Sequence, residues 1–263
     1  MSTTNTSAGA SSRSAVTDAE RDALNAGTAS ARTLTEALVI DHALLLRNTV
    51  PGLPDEVHER VAAAAELGVL KRMRLVAAEL LAAAGPGIAL RLAAHPSDTV
   101  RGWACFVIGE IPGISVAERL ERTRPLADDP AFTVREWVWM AVRPALVTEL
   151  DTSIAVLADW TGDSSPFIRR FASEALRPRG VWASHIAELK TDPERGLPLL
   201  EPLRADPEKY VQDSVANWIN DAAKDRPDWA RATIERWRNE SPSAATERIA
   251  TRALRSLKGP VAR

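Results

Sequence analysis

Apolar residues recur along this chain at three- and four-residue steps, the spacing that lines one face of an α-helix. Four segments share one form: a proline-containing polar turn, then a β-branched residue, then apolar residues four and eight positions later. The β-branched residues are Val100, Val134, Ile168 and Val211, and a fainter fifth copy begins at Ala245. Successive copies are 34, 34, 43 and 34 residues apart. The pattern predicts repeated helices and nowhere shows the alternation of a β-strand.

Helix pairs that recur at this period are typical of α-solenoids, and a D-P-x-x-x-V-R turn favours HEAT-like repeats. We predict an all-α fold, a right-handed α-solenoid of HEAT-like repeats whose second helices line a concave face. The apolar period also predicts helices at 33–46, 54–67, 70–84 and 197–203, with a turn at 85–87.

The domain limits follow from where the apolar period begins and ends. Residues 1–30 are rich in Ser, Thr, Ala and Gly, so we predict a disordered tail with one weak helix near residues 19–25. A single HEAT-like repeat domain is predicted over 31–259. Residues 260–263 are predicted to form a short tail.

Charge is unevenly distributed, although the formal net charge is only -2. Residues 165–182 hold four arginines against one glutamate, and residues 231–263 hold eight bases against three acids. A polyanion is therefore expected to meet the C-terminal half. The single cysteine, Cys105, fits a reducing compartment, and no apolar run has the length of a membrane span or the form of a signal peptide. We expect a cytoplasmic protein with no membrane partner.

The stretch richest in candidate chemistry is SPFIRRFASEALRPRGVW at 165–182. Read as a helix, it places Arg170, Glu174 and Arg177 on one stripe beside an apolar face, before Pro178 stops the helix. Two interpretations are open. The stripe is either a surface salt-bridge ladder, worth about 0.3–0.5 kcal/mol per pair, or a carboxylate placed where a cationic centre binds.

A second polar stripe lies on the next repeat helix, at Asn217, Asn220, Asp221 and Lys224. Such a stripe is usually a solvated face. Asparagine disfavours a helix interior, so another part of the structure is expected to hold these two side chains. Asp221 lies near the C-terminal end of the helix, where the helix dipole opposes a carboxylate, and this conflict favours a functional role.

Two arginines and three tryptophans need separate interpretation. Arg143 and Arg177 precede prolines at equivalent repeat positions, which indicates either a repeated helix stop or arginines that follow a phosphate backbone. Trp137 lies on an apolar stripe and is predicted to pack in the core. Trp139 and Trp182 lie off such stripes, which favours a binding surface.

Several chemistries lack their motifs. The four histidines have no metal-ligand spacing to one another or to Cys105. The chain has no glycine-rich phosphate loop, no G-x-S-x-G and no Ser/His/Asp arrangement. The sequence therefore predicts no metal site.

Two blocks together resemble a known family. RRFASEALRPRGVW at 169–182 and YVQDSVANWINDAAKDRPDWA at 210–230 are similar to the HEAT-like-repeat alkylation-repair DNA glycosylases, the AlkC/AlkD superfamily, and especially to its AlkC branch. That branch carries R-R-x-A-S-E-x-x-R-P-R-x-x-W, followed by V-x-x-S-V-A-N-x-x-N-D-x-x-K-D-x-P. The similarity covers residues 34–259 and is strongest over 134–229.

The resemblance implies a monofunctional glycosylase, acting without cofactor or metal, that cuts the N-glycosidic bond of N-alkylated bases such as 3-methyladenine. Its partner would be double-stranded DNA carrying alkylated bases, and we expect a monomer. Glu174 and Asp221 would be the catalytic carboxylates. The family's preceding repeat has a Glu four residues before its Arg-Pro; that position here is Trp139, and Glu136, about one turn earlier, is the candidate third group. The concave face would bind DNA through Arg143, Arg169, Arg170, Arg177, Arg179, Trp139, Trp182, Asn217 and Lys224.

The implied chemistry suits carboxylates. A base alkylated on a ring nitrogen is already cationic, so it leaves without a strong general acid, and the transition state resembles an oxocarbenium ion. Carboxylates stabilise that positive sugar and orient the attacking water. Indole faces attract a cationic base by about 0.5–2 kcal/mol.

Two other functions are open from the residues alone. A non-catalytic HEAT-like relative would bind damaged or branched DNA through the same arginines, with dispensable carboxylates. A protein-binding HEAT scaffold would have an apolar or mixed concave lining and no use for the arginine–glutamate stripe. Both carboxylates lie inside long matching blocks, which favours the glycosylase.

Overall fold

The structure is a computed structural model that describes residues 9–257. Every regular element among these residues is a helix, which confirms the all-α prediction. The first eight α-helices are α1 Asp18–Asn25, α2 Leu34–Leu38, α3 His42–Thr49, α4 Asp55–Ala63, α5 Val69–Ala84, α6 Ile88–Ala93, α7 Asp98–Glu110 and α8 Val116–Ala127. The next eight are α9 Phe132–Thr148, α10 Leu150–Trp160, α11 Pro166–Glu174, α12 Ala187–Thr191, α13 Leu197–Leu200, α14 Lys209–Ala223, α15 Pro227–Glu240 and α16 Ala244–Ala253. Short 3₁₀ turns occur at Arg13–Ala15, Pro193–Gly196, Glu201–Leu203 and Arg255–Leu257.

The helices form two compact units. Unit 1 comprises the residues up to Ile114 together with Asp129–Val142, and unit 2 comprises Ser115–Asp128 together with the residues from Arg143 onwards. Within residues 9–257, no helix is both long and apolar enough to cross a membrane. A single domain over 31–259 stays a prediction, and the predicted tail at 260–263 lies outside the described residues.

Within residues 9–30, the helix predicted near residues 19–25 is present as α1, together with a 3₁₀ turn at Arg13–Ala15 that was not predicted. Helix α1 follows Thr17, whose hydroxyl oxygen accepts a hydrogen bond from the Glu20 backbone N–H at 3.3 Å, while the Glu20 carboxylate accepts one from the Thr17 N–H at 3.0 Å. This reciprocal pair satisfies two N–H groups that a helix start otherwise leaves unpaired. Polar composition hides such a cap, although T-x-x-E is visible in the sequence. Residues 1–8 of the predicted tail lie outside the described residues.

The single helix predicted at 33–46 is instead two helices, α2 and α3. Asp41 lies between them, and its carboxylate accepts hydrogen bonds from the N–H groups of Ala43 and Leu44 at 2.9 and 3.1 Å. A side chain that caps an N-terminus in this way favours the start of a new helix. The other predicted helices are present as α4, α5 and α13, and Gly85, with φ +70°, turns the chain after α5.

The apolar repeat is buried as predicted. The β-branched residues of the four main copies are buried, and so are the apolar residues four and eight positions after each. Burial of each Val, Leu or Ile side chain among them stabilises the fold by about 1.5–3 kcal/mol. In the fifth copy, Ile249 and Ala253 are buried and Ala245 is half-buried.

The arginine that follows Val100 links its own turn to the next one in unit 1. Arg101 donates to the carbonyl oxygens of His95 and Pro96, both at 2.8 Å. Its Nε and Nη2 also donate to the carboxylate of Asp129, at 2.7 and 3.0 Å. One planar guanidinium therefore closes its own turn and pairs with the turn of the following repeat.

Unit 2 repeats this arrangement and corrects the prediction for Arg169. The Arg169 guanidinium donates to the Asp163 and Ser164 carbonyl oxygens at 2.9 and 3.0 Å, and to the Asp206 carboxylate at 2.7 and 3.1 Å. In the next copy, Gln212 takes the arginine position and donates to the Asp206 carbonyl oxygen at 2.8 Å. Arg169 is thus engaged in joining repeats, although the resemblance implied a position at the DNA surface.

Replacing Arg169 with alanine is expected to lower the free energy of unfolding by about 1–3 kcal/mol, because two carbonyl groups lose this donor and the buried Asp206 carboxylate keeps only the Glu208 N–H at 2.9 Å. Urea denaturation measures this. Arg122→Ala is the matched control: Arg122 pairs with Glu118 at 2.6 Å on an exposed helix face, and its loss should change stability by less than about 0.5 kcal/mol. Equal effects of the two substitutions would contradict the assignment, as would a loss of DNA affinity at unchanged stability.

Pro144 does not stop a helix, because α9 continues through it to Thr148. A proline has no backbone N–H, so the carbonyl of Met140, four residues earlier, loses its usual partner. The Arg74 guanidinium supplies a replacement and donates to the Met140 oxygen at 3.3 Å. Of the two interpretations of the Arg-Pro pairs, a repeated helix stop therefore fails at Pro144.

Candidate active site

Helices α11 and α14 of unit 2 carry the two predicted catalytic carboxylates. Helix α11 begins after Ser165, whose hydroxyl oxygen accepts from the Phe167 N–H at 3.2 Å, and Pro166 occupies its first turn. The helix ends at Glu174, and Asp221 lies in the last turn of α14. Both carboxylates therefore lie at the negative ends of helix dipoles and need cations nearby.

Arg177 supplies that cation to both carboxylates. Its Nη1 donates to Glu174 Oε1 at 2.8 Å. Its Nε and Nη2 donate to Asp221 Oδ2 at 3.0 and 2.8 Å. If Glu174 and Asp221 lay on opposite sides of unit 2, they could not share a site. In the structure, both carboxylates bind the guanidinium of Arg177.

Both oxygens of Glu174 are engaged. Besides the bond from Arg177, Glu174 Oε2 accepts from the Ser214 hydroxyl at 2.6 Å and lies 3.6 Å from Arg170 Nη2. Glu174 is 4% exposed. Burial on its own raises the pKa of Glu174, but the charges of Arg170 and Arg177 and the Ser214 hydrogen bond outweigh it and hold that pKa below the ordinary value. Glu174 is therefore fixed in position and ionised.

Asp221 has a different environment, although it is also 4% exposed. Arg177 occupies only its Oδ2, whereas Oδ1 lies 3.8 Å from Lys224 Nζ and receives no hydrogen bond from the described residues. Burial raises the pKa of Asp221 above its ordinary value, and the opposing charges of Arg177 and Lys224 do not cancel that effect. Asp221 Oδ1 thus lies near the Lys224 ammonium group without a hydrogen bond to it. Because its pKa is raised, Asp221 is a stronger base than Glu174.

These contacts decide between the two interpretations of the α11 stripe. Arg170, Glu174 and Arg177 are all buried, so the stripe is not a surface salt-bridge ladder. We call Arg170, Glu174, Arg177, Ser214 and Asp221 the carboxylate–arginine cluster. Its two arginines are engaged with the carboxylates, and Arg170 also lies over the ring of Tyr210 at 4.8 Å.

Arg143 is another predicted DNA ligand that the structure places elsewhere. Its buried guanidinium donates to the carbonyl oxygens of Ala175, Arg177 and Ser184 at 2.7, 2.5 and 3.2 Å. Burial, with the nearby charge of Arg177, lowers the pKa of Arg143 to about 10. Arg143 therefore holds the start and the end of the loop that follows α11, and it is not a phosphate contact.

The loop that Arg143 holds presents Trp182. This side chain is 51% exposed, and its backbone has φ +57°, a conformation uncommon for residues other than glycine. A strained, exposed indole on a loop anchored by a buried arginine is typical of a binding position. Arg179, in the same loop, pairs with Asp225 at 2.8 Å and is partly exposed.

The remaining aromatic and acidic candidates belong to unit 1. Trp139 is 1% exposed and its indole N–H donates to Glu136 at 2.9 Å, so the prediction that Trp139 lies on a binding surface is wrong. Trp137 is buried and packs 6.3 Å from Phe106 between ring centroids, as predicted. Glu136 is half-buried, and its catalytic role stays a prediction.

The asparagines of α14 are held as the sequence led us to expect. Asn220 is buried and donates to the Ala253 carbonyl and the Ser256 hydroxyl, both at 2.8 Å. Asn217 accepts from Arg255 at 2.9 Å. Ser214 bonds to Glu174, and Arg255 bonds to Asn217 one turn before Asp221; neither residue was predicted to belong to the site. Ser214 stands in the quoted S-V-A-N block, so the matching motif contained a signal for it.

The fold and the site together define an all-helical repeat protein with two buried carboxylates on one arginine. Residues 127–254 match the model of the family described as DNA alkylation repair enzyme. This stretch is just under half of the chain, and its match confirms the resemblance found in the sequence.

Solved structures extend the similarity beyond that stretch. Pseudomonas fluorescens alkylpurine DNA glycosylase AlkC, bound to DNA containing an abasic site analog, matches 93% of this chain with a TM-score of 0.65 and 25% identity, over 64% of its own length. AlkD2 from Streptococcus mutans matches 75% of this chain and 97% of its own, with a TM-score of 0.60 and 20% identity, a likeness of fold.

One curated relative adds sequence similarity without a function. The uncharacterized protein YhaZ of Bacillus subtilis is 39% identical over 127 residues, which are 48% of this chain and 35% of YhaZ. The chain thus spans about a third of YhaZ and less than two thirds of the AlkC chain.

Proposed function

We propose that this protein is a monofunctional DNA glycosylase that hydrolyses the N-glycosidic bond of cationic N-alkylated bases, such as 3-methyladenine, in duplex DNA. The observation that carries the proposal is the pair of buried carboxylates, Glu174 and Asp221, joined by Arg177. The match of residues 127–254 to the alkylation-repair family supports it, as does the likeness to an alkylpurine DNA glycosylase solved with DNA.

The two carboxylates differ in a way that suits two roles. Asp221 has a raised pKa and an oxygen without a hydrogen bond from the described residues, so it accepts a proton from the attacking water as general base. Glu174 stays ionised with both oxygens held, so it stabilises the positive charge that develops on the sugar. Pairs of acids whose environments separate their pKa values commonly divide the work in this manner.

The substrate class follows from what the cluster lacks. Protonating a neutral leaving base needs a strong general acid, and Glu174 is held ionised. A base alkylated on a ring nitrogen carries its positive charge already and leaves as a neutral molecule. The exposed indole of Trp182 adds a face that attracts such a cation, by about 0.5–2 kcal/mol.

The test is to incubate the purified protein with methylated duplex DNA and to quantify the free bases released. We expect the wild type to release 3-methyladenine. Glu174→Gln should reduce the rate at least about a hundredfold, the size seen when one preorganised electrostatic group is removed. Glu188→Gln, on the exposed face of α12, is the matched control and should keep the wild-type rate.

The outcomes separate the candidate functions. Base release that Glu174→Gln retains would overturn the assignment of Glu174. Absence of release with salt-sensitive binding to DNA would favour the non-catalytic DNA-binding relative, and absence of both would leave the protein-binding scaffold. Trapping of a covalent protein–DNA adduct by borohydride would contradict the monofunctional mechanism.

A further inference from the structure

Asn217 and Asn220 of α14 both bind the turn that follows α16. Asn220 donates to Ala253 and Ser256, so it fastens the chain that leaves α16 against α14. Arg255 lies in this fastened turn, and its Nη1 donates to the Arg252 carbonyl oxygen at 2.7 Å. Asparagine lowers the helix propensity at positions 217 and 220. Both side chains instead bind the turn that follows α16.

Asn217 fixes the direction of the Arg255 side chain. Its Oδ1 accepts from Arg255 Nη2 at 2.9 Å. Asn217 precedes Asp221 by four residues on α14, so the two side chains lie on adjacent turns of one face. The charges of Asp221 and Arg177 both act on Arg255, which agrees with this position beside the carboxylate–arginine cluster.

Arg255 differs from most arginines of the basic C-terminal stretch. Arg238 pairs with Glu247 at 2.6 Å, and Arg252 pairs with Asp213 at 2.8 Å. Arg255 is exposed, and its hydrogen bonds go to a carbonyl oxygen and an amide oxygen; no carboxylate of the described residues pairs with it. Burial of part of the side chain and the nearby charge of Arg252 lower the pKa of Arg255, as expected for a cation that lacks its counter-ion.

We propose that Arg255, aimed by Asn217, binds the DNA backbone phosphate that flanks the target nucleotide. This inference rests on the proposed function, because it places the sugar of that nucleotide at Asp221. The phosphates on either side of that sugar then lie close to Asp221, and Asn217 holds Arg255 one helical turn from Asp221. A guanidinium has five donors in a fixed plane; two are used by Asn217 and the Arg252 carbonyl, which leaves three for phosphate oxygens. Asn217 is thus a positioning residue and not itself a DNA contact.

Salt dependence of binding tests the phosphate contact. Affinity for an unmodified duplex and for a duplex with a tetrahydrofuran abasic-site analogue is measured by fluorescence anisotropy at several salt concentrations. Arg255→Gln should reduce the slope of log K against log salt by about 0.9, the value of one phosphate contact. Arg238→Gln removes the same charge from the same stretch and should leave the slope unchanged. Asn217→Ala keeps the charge and releases the side chain, so it should weaken binding by less than Arg255→Gln.

Equal slopes for Arg255→Gln and Arg238→Gln would overturn the inference, because only general electrostatic attraction would then be at work. Methylphosphonate substitution locates the contact. The difference in DNA affinity between wild type and Arg255→Gln should vanish when the phosphate flanking the abasic position is neutral. If this difference vanishes only when a distant phosphate is neutral, the assignment is also overturned. These measurements need no base release. A wild type that shows the Arg255 effect but releases no base would refute the glycosylase and leave the phosphate contact standing.

Discussion

Replacing Asp221 with asparagine should lower kcat/KM for base release by about 10²–10⁴-fold, the contribution of a positioned general base. The substitution keeps the shape of the side chain and an oxygen for Arg177 to bind, but it removes the basic group that takes a proton from water. Burial raises the pKa of Asp221, so the ionised form is already disfavoured and its loss should leave the folded state stable. Base release in single-turnover assays and urea denaturation separate the two effects.

The pH profile gives this prediction a second readout. In the wild type, activity should rise as the pH increases through the pKa of Asp221, which lies above the ordinary aspartate value. The residual activity of the asparagine variant should lack this acid limb. Asp225→Asn is the matched control, because Asp225 also pairs with two cations, Arg179 at 2.8 Å and Lys190 at 3.8 Å, just beyond α14. Equal losses in the two variants, or an unchanged acid limb in Asp221→Asn, would refute a general base at Asp221.

The repeat architecture was predictable because its signal is local. Val100, Val134, Ile168 and Val211 each start an apolar stripe, and burial of such stripes depends on the helix period within one copy. The break at Asp41 was missed for the opposite reason. An apolar period runs through it from 33 to 46, and only the bonds from Ala43 and Leu44 show that a cap overrides the period.

The candidate site was predictable in its carboxylates but not in its cations. Glu174 and Asp221 stand in long blocks that matched a family, so their sequence context was informative. Arginines are ambiguous in a sequence, because the same guanidinium binds phosphate, carboxylate or carbonyl oxygens. Arg143 binds a carbonyl group, and Arg169 binds the Asp206 carboxylate, in chain segments that only the fold brings near them. Arg255 was not singled out, because its relation to Asp221 depends on how Asn217 and Asn220 hold the C-terminal turn.

Replacing Arg177 with methionine is expected to be the most destabilising of the substitutions considered, by about 3–5 kcal/mol near neutrality. Methionine fills a similar volume but leaves Glu174 and Asp221 as two buried carboxylates without the cation they share. Arg170 and Ser214 still face Glu174, whereas Asp221 keeps only Lys224 at 3.8 Å, so the larger change should fall on Asp221. Arg238→Met removes an exposed pair and should cost no more than about 1 kcal/mol.

The pH dependence identifies the cause of this loss. Burial already raises the pKa of Asp221 in the folded wild type, and loss of Arg177 should raise it further. When a carboxyl group has a higher pKa in the folded state than in the unfolded state, it stabilises the folded state at a pH below its unfolded-state pKa. This stabilisation is lost as the pH rises through its folded-state pKa. The deficit of Arg177→Met should therefore be largest near neutrality and should shrink at about pH 5, where protonation relieves the unpaired charge. Urea denaturation at the two pH values decides the matter: a deficit that does not change with pH would mean that Arg177 acts by packing and not as the shared cation of the two carboxylates.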